Sequence, residues 1–264
     1  MRDSMKIAIL GLGEAGSAIA ADLAVAGLTV EAWDPNPKLV PPGVTLSAND
    51  QAAVNSADIV LSVNLASIAA DVARSALSML AEGQVYADLN TASPGVKRDI
   101  AEILRPSGAL FADVALLAPV PGRGLWTPTL AAGPGAKRFH DLLTPYGMPV
   151  TLLDAPAGSA AAYKLVRSIF MKGVAAVVIE CLEAAEQLDC TAWTREQLLT
   201  VIRDEALIDR FVEGSQTHAA RRIHEMEAAT ALLAEIGVAS YLTRATIERL
   251  AALAGQSKSI EEGQ

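Results

Sequence analysis

Aromatic residues and cysteines are both scarce in this sequence. Aromatic side chains make up 4% of the 264 residues, so a hydrophobic core must be built from Val, Leu, Ile and Ala. The two cysteines, Cys181 and Cys190, fall nine residues apart within one predicted helix. That spacing separates them by about 13 Å along the helix axis and turns them to different faces, which excludes a disulfide between them. Without a CxxC motif or a His/Cys cluster, the sequence predicts no metal site.

Long hydrophobic runs and an excess of positive charge are missing as well. No apolar segment approaches the roughly 18 residues that a membrane-spanning helix requires, so we expect no membrane partner. The formal net charge is −9, which disfavours binding to the phosphates of nucleic acids. The apolar segment near the N-terminus is interrupted by glycines and by Glu14, unlike a signal peptide. We therefore expect a cytoplasmic protein that does not bind nucleic acid.

Short apolar segments alternate with amphipathic segments over the first 155 residues. Alternation of this kind predicts a parallel β-sheet with crossover helices. The predicted strands are 6–11, 28–34, 58–63, 85–90, 108–116, 128–133 and 148–153, and the predicted helices are 15–26, 50–56, 67–81, 95–105 and 136–143.

The pattern changes at about residue 155. From there to about residue 189 the apolar positions follow the period of one long helix, and residues 194–254 are helical in pattern with no convincing strand. The sequence therefore predicts two domains, an α/β domain at 1–155 and an all-helical domain at 156–264.

A glycine-rich turn follows the first predicted strand and opens the first predicted helix. Gly11, Gly13 and Gly16 match the dinucleotide-binding pattern, and Asp34 ends the next strand, 18 residues after Gly16. Asp34 should accept hydrogen bonds from the adenosine ribose and repel a 2′-phosphate, which favours NAD while NADP remains possible. The alternative is a strand–helix turn without a nucleotide. The candidate cofactor-binding residues are Gly11, Leu12, Gly13, Glu14, Ala15, Gly16, Asp34, Val63 and Asn64.

Three features together resemble the β-hydroxyacid dehydrogenase family, which includes 3-hydroxyisobutyrate and 6-phosphogluconate dehydrogenases. They are the glycine-rich turn, the segment "DLNTASP" at 88–94, and Gly158 six residues before Lys164 at the start of the long helix. The resemblance implies a Rossmann-type doubly wound parallel sheet, an all-helical domain built on a long interdomain helix, and usually a dimer or tetramer. Together with the broadly apolar surface of the long helix, it predicts a homodimer.

Other positions depart from the family pattern. Asn90 stands before Thr91 where the family commonly has Ser, and "DVALLAPVPGRG" at 113–124 replaces its Ser-Gly-Gly segment. Ser168 stands four residues after Lys164, where the family carries Asn. These features resemble a branch with a C-terminal helical domain of unknown function. The resemblance therefore predicts the class of reaction better than it predicts the substrate.

In the family, a lysine at the position of Lys164 is the general acid/base, so the resemblance implies this role here. Ser168 and Lys172 follow at four-residue intervals and should share a helix face with Lys164, with Arg167 on the flank. Such a concentration of cations favours a small anionic substrate. The alternative is a solvated stripe on an amphipathic helix.

The remaining substrate-binding candidates are Asn90, Thr91 and His218. Asn90 and Thr91 follow a predicted strand, at the sheet edge where α/β proteins bind ligands; alternatively, one of them caps the next helix. His218 belongs to a polar helix face that is either solvated and ion-paired or part of the active site. The sequence thus predicts an NAD(P)-dependent oxidoreductase acting on a small β-hydroxyacid or a related alcohol or carbonyl compound. The alternatives are an imine reductase-like enzyme, although that class generally lacks the lysine, and a non-catalytic nucleotide-binding sensor.

Overall fold

The chain folds into two compact units. A computed structural model describes residues 5–261, with side chains described up to residue 255. The first unit ends at Lys164 and the second begins at Leu165.

The first unit is built on an eight-stranded sheet in the order β3-β2-β1-β4-β5-β6-β7-β8. Neighbouring strands are parallel except β6 and β7, which are antiparallel. The predicted Rossmann-type sheet is thus confirmed. The strands are β1 (Lys6–Leu10), β2 (Thr29–Trp33), β3 (Val44–Leu46), β4 (Ile59–Ser62), β5 (Val85–Asp88), β6 (Leu110–Leu116), β7 (Thr129–Ala132) and β8 (Val150–Leu152).

Two helical layers cover this sheet. Residues 7–10 of β1 are all buried, because helices cover both faces of a parallel sheet and its central strands need apolar residues throughout. One core lies between the sheet and α1 and α5, and the other between the sheet and α2, α3 and α4. The helices are α1 (Glu14–Val25), α2 (Asp50–Val54), α3 (Ala69–Ala76), α4 (Pro94–Leu104) and α5 (Ala136–Leu143).

Strand β3 is absent from the sequence-based assignment. It has only three residues, pairs with β2 alone at the edge of the sheet, and leaves Thr45 and Leu46 exposed. A short strand of this kind has no buried apolar run, so hydrophobic periodicity gives little signal for it.

The second unit is helical throughout its described residues. The long helix α6 begins in the first unit and continues into the second, and it spans 159–187 where 155–189 was predicted. Two apolar clusters form the core of the unit, one between α6, α7 and α8 and the other between α6, α8, α9 and α10. Cys181 and Cys190 are free thiols, but they do not share one helix as predicted, because α6 ends at Gln187 and Cys190 is the N-cap of α7. The helices are α6 (Ser159–Gln187), α7 (Thr191–Ile202), α8 (Glu205–Thr217), α9 (Ala219–Glu235) and α10 (Tyr241–Glu261).

No helix within residues 5–261 is both long enough and apolar enough to cross a lipid bilayer.

Candidate active site

The glycine-rich turn joins β1 to α1 with very close backbone contacts. Gly11 has φ +111°, and a Cβ atom on it would lie 2.2 Å from the carbonyl oxygen of Val63. A Cβ on Gly16 would lie 1.9 Å from the carbonyl oxygen of Gly11. Any side chain at Gly11 or Gly16 would therefore displace the backbone of the turn.

The middle glycine faces a different environment. Gly13 is the N-cap of α1, and a Cβ added to it would meet no heavy atom of the described residues within 4 Å. The amide groups of Glu14 and Ala15 begin the helix, whose N-terminus carries partial positive charge. This arrangement fits the pyrophosphate of a dinucleotide, which binds to N–H groups at a helix N-terminus.

Asp34 follows β2 and contacts the glycine-rich turn directly. Its Oδ2 accepts a hydrogen bond from the backbone N–H of Leu12 at 2.7 Å, and its Oδ1 accepts one from that of Asn36 at 2.8 Å. The carboxylate therefore fixes the turn. A carboxylate has about four acceptor positions, so Asp34 can still accept hydrogen bonds from ribose hydroxyls.

Val63 and Asn64 follow β4, and Asn64 is hydrogen-bonded to the loop after β5. The backbone N–H of Asn64 donates to Oδ1 of Asn90 at 2.5 Å, and Nδ2 of Asn64 donates to the Ser62 hydroxyl at 2.9 Å. The carboxyl ends of β4 and β5 are thus joined by side-chain hydrogen bonds at the edge where α/β sheets bind ligands.

Asn90 and Thr91 have different environments although they are adjacent. Asn90 is only 5% exposed, and its Nδ2 donates to Oδ1 of Asp88. Its side chain is therefore engaged within the protein, whereas Thr91 is exposed. The idea that either residue caps α4 is wrong, because the cap is Ser93, whose hydroxyl accepts from the N–H of Val96 at 3.3 Å.

Lys164 contacts Thr91 within the first unit. Its Nζ donates a hydrogen bond to the Thr91 hydroxyl at 2.8 Å. Gly158 precedes α6 with φ +95°, and a Cβ on it would lie 2.9 Å from the carbonyl oxygen of Pro94, so only glycine allows the helix to start this close to α4. The turn at Gly158 brings Lys164 to the loop after β5.

Two buried residues that the sequence analysis did not identify, Asp113 and Lys97, support the start of α6 and the end of β5. Asp113 on β6 accepts backbone N–H groups from Gly158, Ala160 and Ala161 at 2.9–3.2 Å through its Oδ2. Lys97 on α4 is 1% exposed and forms ion pairs with Asp88 and Asp113.

A signal for Lys97 was available in the sequence. Lys97 shares a helix face with Ile100 and Leu104, which are fully buried. A cation at an apolar position of an amphipathic helix indicates a buried ion pair.

The second unit contains its own polar cluster around Glu225. Ser168, which is 1% exposed, donates a hydrogen bond to Oε1 of Glu225. Lys172 forms an ion pair with the same oxygen at 3.1 Å and donates to the Ser168 hydroxyl at 3.3 Å. Burial lowers the pKa of Lys172; Glu225 opposes this effect, while Arg222 and Arg167 add to it.

Of the polar residues around the α8–α9 junction, some are hydrogen-bonded and others are exposed. His218 lies exposed at the junction itself. Arg222 on α9 donates to the hydroxyl of Ser215, and burial, followed by the charge of Arg221, lowers its pKa. Glu225 connects this helix to α6 through Ser168 and Lys172, which the sequence-based reasoning did not identify because the pairing joins distant helices.

Two sequence families match most of the described chain between them. Residues 6–123 match the NAD binding domain of 6-phosphogluconate dehydrogenase. Residues 185–253 match a domain of unknown function, DUF1932. The first match contains the glycine-rich turn, Asp34 and the loop after β5, and it confirms NAD as the type of cofactor.

Solved structures extend the similarity over nearly the whole chain. A conserved protein of unknown function, described as structurally similar to 3-hydroxyacid dehydrogenases, is 25% identical, with 96% of this chain and 98% of that chain covered and a TM-score of 0.77. The 3-hydroxyisobutyrate dehydrogenase of Mycobacterium tuberculosis shares the fold, with 19% identity, 96% and 94% coverage and a TM-score of 0.82.

The fold also occurs in imine reductases. The imine reductase of Streptomyces aurantiacus is 20% identical, with 96% of this chain and 95% of that chain covered and a TM-score of 0.62. The chain thus combines a match to the NAD binding domain of 6-phosphogluconate dehydrogenase with a match to DUF1932, and its fold is similar to that of 3-hydroxyisobutyrate dehydrogenase, in agreement with the resemblance that the sequence predicted.

Proposed function

We propose that the protein is an NAD(P)-dependent oxidoreductase that interconverts a small β-hydroxyacid, or a related alcohol, and its carbonyl form. The observation that carries the proposal is the hydrogen bond from Lys164 to Thr91, at the carboxyl end of β5. A lysine that begins a long helix and reaches the ligand-binding edge of the sheet is positioned to exchange a proton with a substrate oxygen.

The glycine-rich turn and Asp34 hold the cofactor in this proposal. Bound NAD(P) supplies the hydride acceptor or donor. Asp34 favours NAD, because its carboxylate would repel a 2′-phosphate and no arginine occurs in the following segment 35–40. Titration of protein fluorescence with NADH and NADPH should give the tighter affinity for NADH.

Lys164 is the proposed general acid/base, which takes the hydroxyl proton during oxidation and returns it during reduction. Thr91 accepts its hydrogen bond and so fixes the direction of the ammonium group. Asn90 is proposed to fix the position of the loop after β5, which carries Thr91. Its side chain is hydrogen-bonded to Asp88 and to the backbone of Asn64.

The substrate is proposed to be a small acid. Arg167, Ser168, Lys172 and His218 are the candidates for binding it, and the cations around Lys172 favour an anion electrostatically. A substrate carboxylate would have to compete with Glu225 for Lys172 and Ser168.

Substitution of the proposed acid/base tests the mechanism. Lys164→Met keeps the length of the side chain and removes the amine, so turnover should fall by about 10²- to 10⁴-fold, with NADH affinity within about twofold of wild type. The matched control is Lys137→Met on α5, where an exposed lysine pairs with Asp141 one turn away. Turnover should be measured on a panel of β-hydroxyacids and, separately, on cyclic imines.

Each outcome distinguishes one hypothesis. Unchanged turnover in Lys164→Met would contradict the role of the lysine. Reduction of imines without oxidation of hydroxyacids would favour the imine reductase-like alternative. Tight NADH binding without turnover of either panel would favour the sensor.

We also propose that the protein is a homodimer. In the second unit α6 exposes Val166, Phe170 and Val177, large apolar side chains that a second copy could cover. Light scattering should then give about twice the monomer mass. A monomer at micromolar concentration would contradict this proposal.

A further inference from the structure

Lys97 is the most completely buried basic residue among the described residues of the first unit. Its Nζ lies 2.8 Å from Oδ2 of Asp88 and 3.4 Å from Oδ1 of Asp113, and it donates to the backbone carbonyl of Asp88 at 2.6 Å. All three side chains are at most 1% exposed. One ammonium group therefore joins two neighbouring strands, through Asp88 at the end of β5 and Asp113 in the middle of β6.

One branch of this cluster leads to the loop that carries Thr91. The Asp88 carboxylate accepts from Nδ2 of Asn90, and Oδ1 of Asn90 accepts from the N–H of Asn64. Asn90 is thereby held at both ends of its amide, and Thr91 follows it directly in the chain. The position of the Thr91 hydroxyl thus depends on the orientation of Asp88.

The other branch leads to the helix that carries Lys164. Oδ2 of Asp113 accepts three backbone N–H groups at the start of α6, while Oδ1 of the same carboxylate faces Lys97. Asp113 thus does for α6 what an N-cap side chain does for an ordinary helix, but from a distant strand. The first turn of α6, and with it Lys164 one turn later, is fixed relative to Lys97.

The net charge of the cluster formed by Lys97, Asp88 and Asp113 explains why the start of α6 binds to it. Two carboxylates face one ammonium group, which leaves one negative charge in excess in a buried place. The N-terminus of α6 carries partial positive charge and directs three N–H groups at Asp113, which compensates the excess.

We infer that Lys97, Asp88 and Asp113 are positioning residues for Lys164. The two branches meet again where Lys164 donates to Thr91, so the contacts form a closed ring. A shift in either branch would move the Lys164 amine relative to the Thr91 hydroxyl. The catalytic meaning of this ring rests on the proposed function, whereas the geometric claim does not.

The geometric claim can be tested through the reactivity of Lys164 alone. Asp113→Asn and Asp88→Asn each preserve size and leave Lys97 paired with one carboxylate, so both variants are expected to fold, which thermal melting checks. N-acetoxysuccinimide acetylates lysines, and peptide mass spectrometry gives the rate at Lys164 relative to Lys137, which is 80% exposed. Thr91→Val removes the hydroxyl that accepts the hydrogen bond from Lys164. This variant shows whether loss of the contact raises or lowers the acetylation rate of Lys164.

We expect both Asn variants to change the Lys164 rate ratio by about threefold or more, in the same direction as Thr91→Val. The control is Asp22→Asn, which alters a carboxylate that accepts the N–H of Leu125 at 2.8 Å in the same unit but is not part of the ring. Its ratio should equal that of wild type. An unchanged ratio in both Asn variants or in Thr91→Val, or an equal change in Asp22→Asn, would overturn the inference.

A second measurement separates this inference from the proposed function. On any hydroxyacid that the wild type converts, Asp113→Asn should lower kcat by about tenfold or more and leave the KM for the nucleotide unchanged. A purely structural role would alter stability without this split. If the wild type converts no hydroxyacid, the proposed function fails, and the acetylation ratios still decide whether the ring positions Lys164.

Discussion

Each of the two units contains a lysine that is largely removed from solvent, and the two are compensated differently. Lys97 in the first unit is 1% exposed and faces two buried carboxylates. The side chain of Lys172 in the second unit is 16% exposed and faces one carboxylate, Glu225, whose side chain is 13% exposed. Arg167 and Arg222 add positive charge around Lys172.

This difference indicates what each lysine can do. An ammonium group between two carboxylates is held in one place, which suits a structural junction such as the one that supports Thr91 and α6. An ammonium group near other cations is less stable in its charged form, so an anionic ligand or a change of pH can alter it. We therefore regard the cluster of the first unit as a fixed support and that of the second as a responsive one.

The largest effect is expected from Lys97→Met, because it leaves two buried carboxylates without their cation. Breaking a buried ion pair from one side costs about 3–5 kcal/mol of unfolding free energy. Urea unfolding should be followed by tryptophan fluorescence in a Trp193→Phe background, so that the signal comes from Trp33 and Trp126 in the first unit. Lys137→Met, an exposed control, should change the free energy by less than about 0.5 kcal/mol.

The contrast between the two lysines fails if Lys97→Met destabilises its unit no more than Lys172→Met destabilises the other. That result would mean that the Asp88 and Asp113 carboxylates find other partners when Lys97 is lost.

Most of the fold could be predicted from local patterns. The parallel strands are short apolar runs that alternate with amphipathic helices, and the glycine-rich turn indicates the cofactor-binding domain. The antiparallel pairing of β6 with β7 and the edge strand β3 were not predicted, because pairing direction and three-residue strands depend on contacts between distant segments.

The candidate site was only partly predictable for the same reason. Lys164 and Thr91 follow from motifs that resemble a family, but their contact joins residues 73 positions apart. Asp113 and Glu225 belong to no local pattern, and each acts on a helix far away in sequence. Lys97 had a signal on its apolar helix face, but its partners on two strands could not be read from periodicity.

An intermediate effect is expected from Glu225→Gln in the second unit. Glutamine keeps the shape and an acceptor for Ser168 but removes the charge that faces Lys172, so unfolding free energy should fall by about 1–2 kcal/mol. The measurement uses Trp193, the single tryptophan of that unit, in a background where Trp33 and Trp126 are replaced by Phe.

Glu227→Gln on the same helix is the matched control. Glu227 pairs with His224, whose side chain is 82% exposed, so its loss should change the free energy by less than about 0.5 kcal/mol. Equal effects of the two substitutions would show that Glu225 is no more than a surface partner.

The smallest effect is a pH dependence that should be specific to Lys172. Burial lowers its pKa in the folded protein below the ordinary value of 10.5, so in the interval just below 10.5 the folded state binds fewer protons than the unfolded state. Unfolding free energy should therefore rise with pH through this interval, and this contribution should be absent in Lys172→Met. The difference between wild type and Lys172→Met, measured at neutral pH and at about pH 10, isolates it.

Substitution of Glu225 gives a second test of the pH dependence that comes from Lys172. Its carboxylate opposes the lowering of the Lys172 pKa, so Glu225→Gln should lower that pKa further and make the rise in stability with pH larger than in wild type. A flat or falling difference would mean that Lys172 is compensated as fully as Lys97, and the distinction between a fixed and a responsive cluster would not hold.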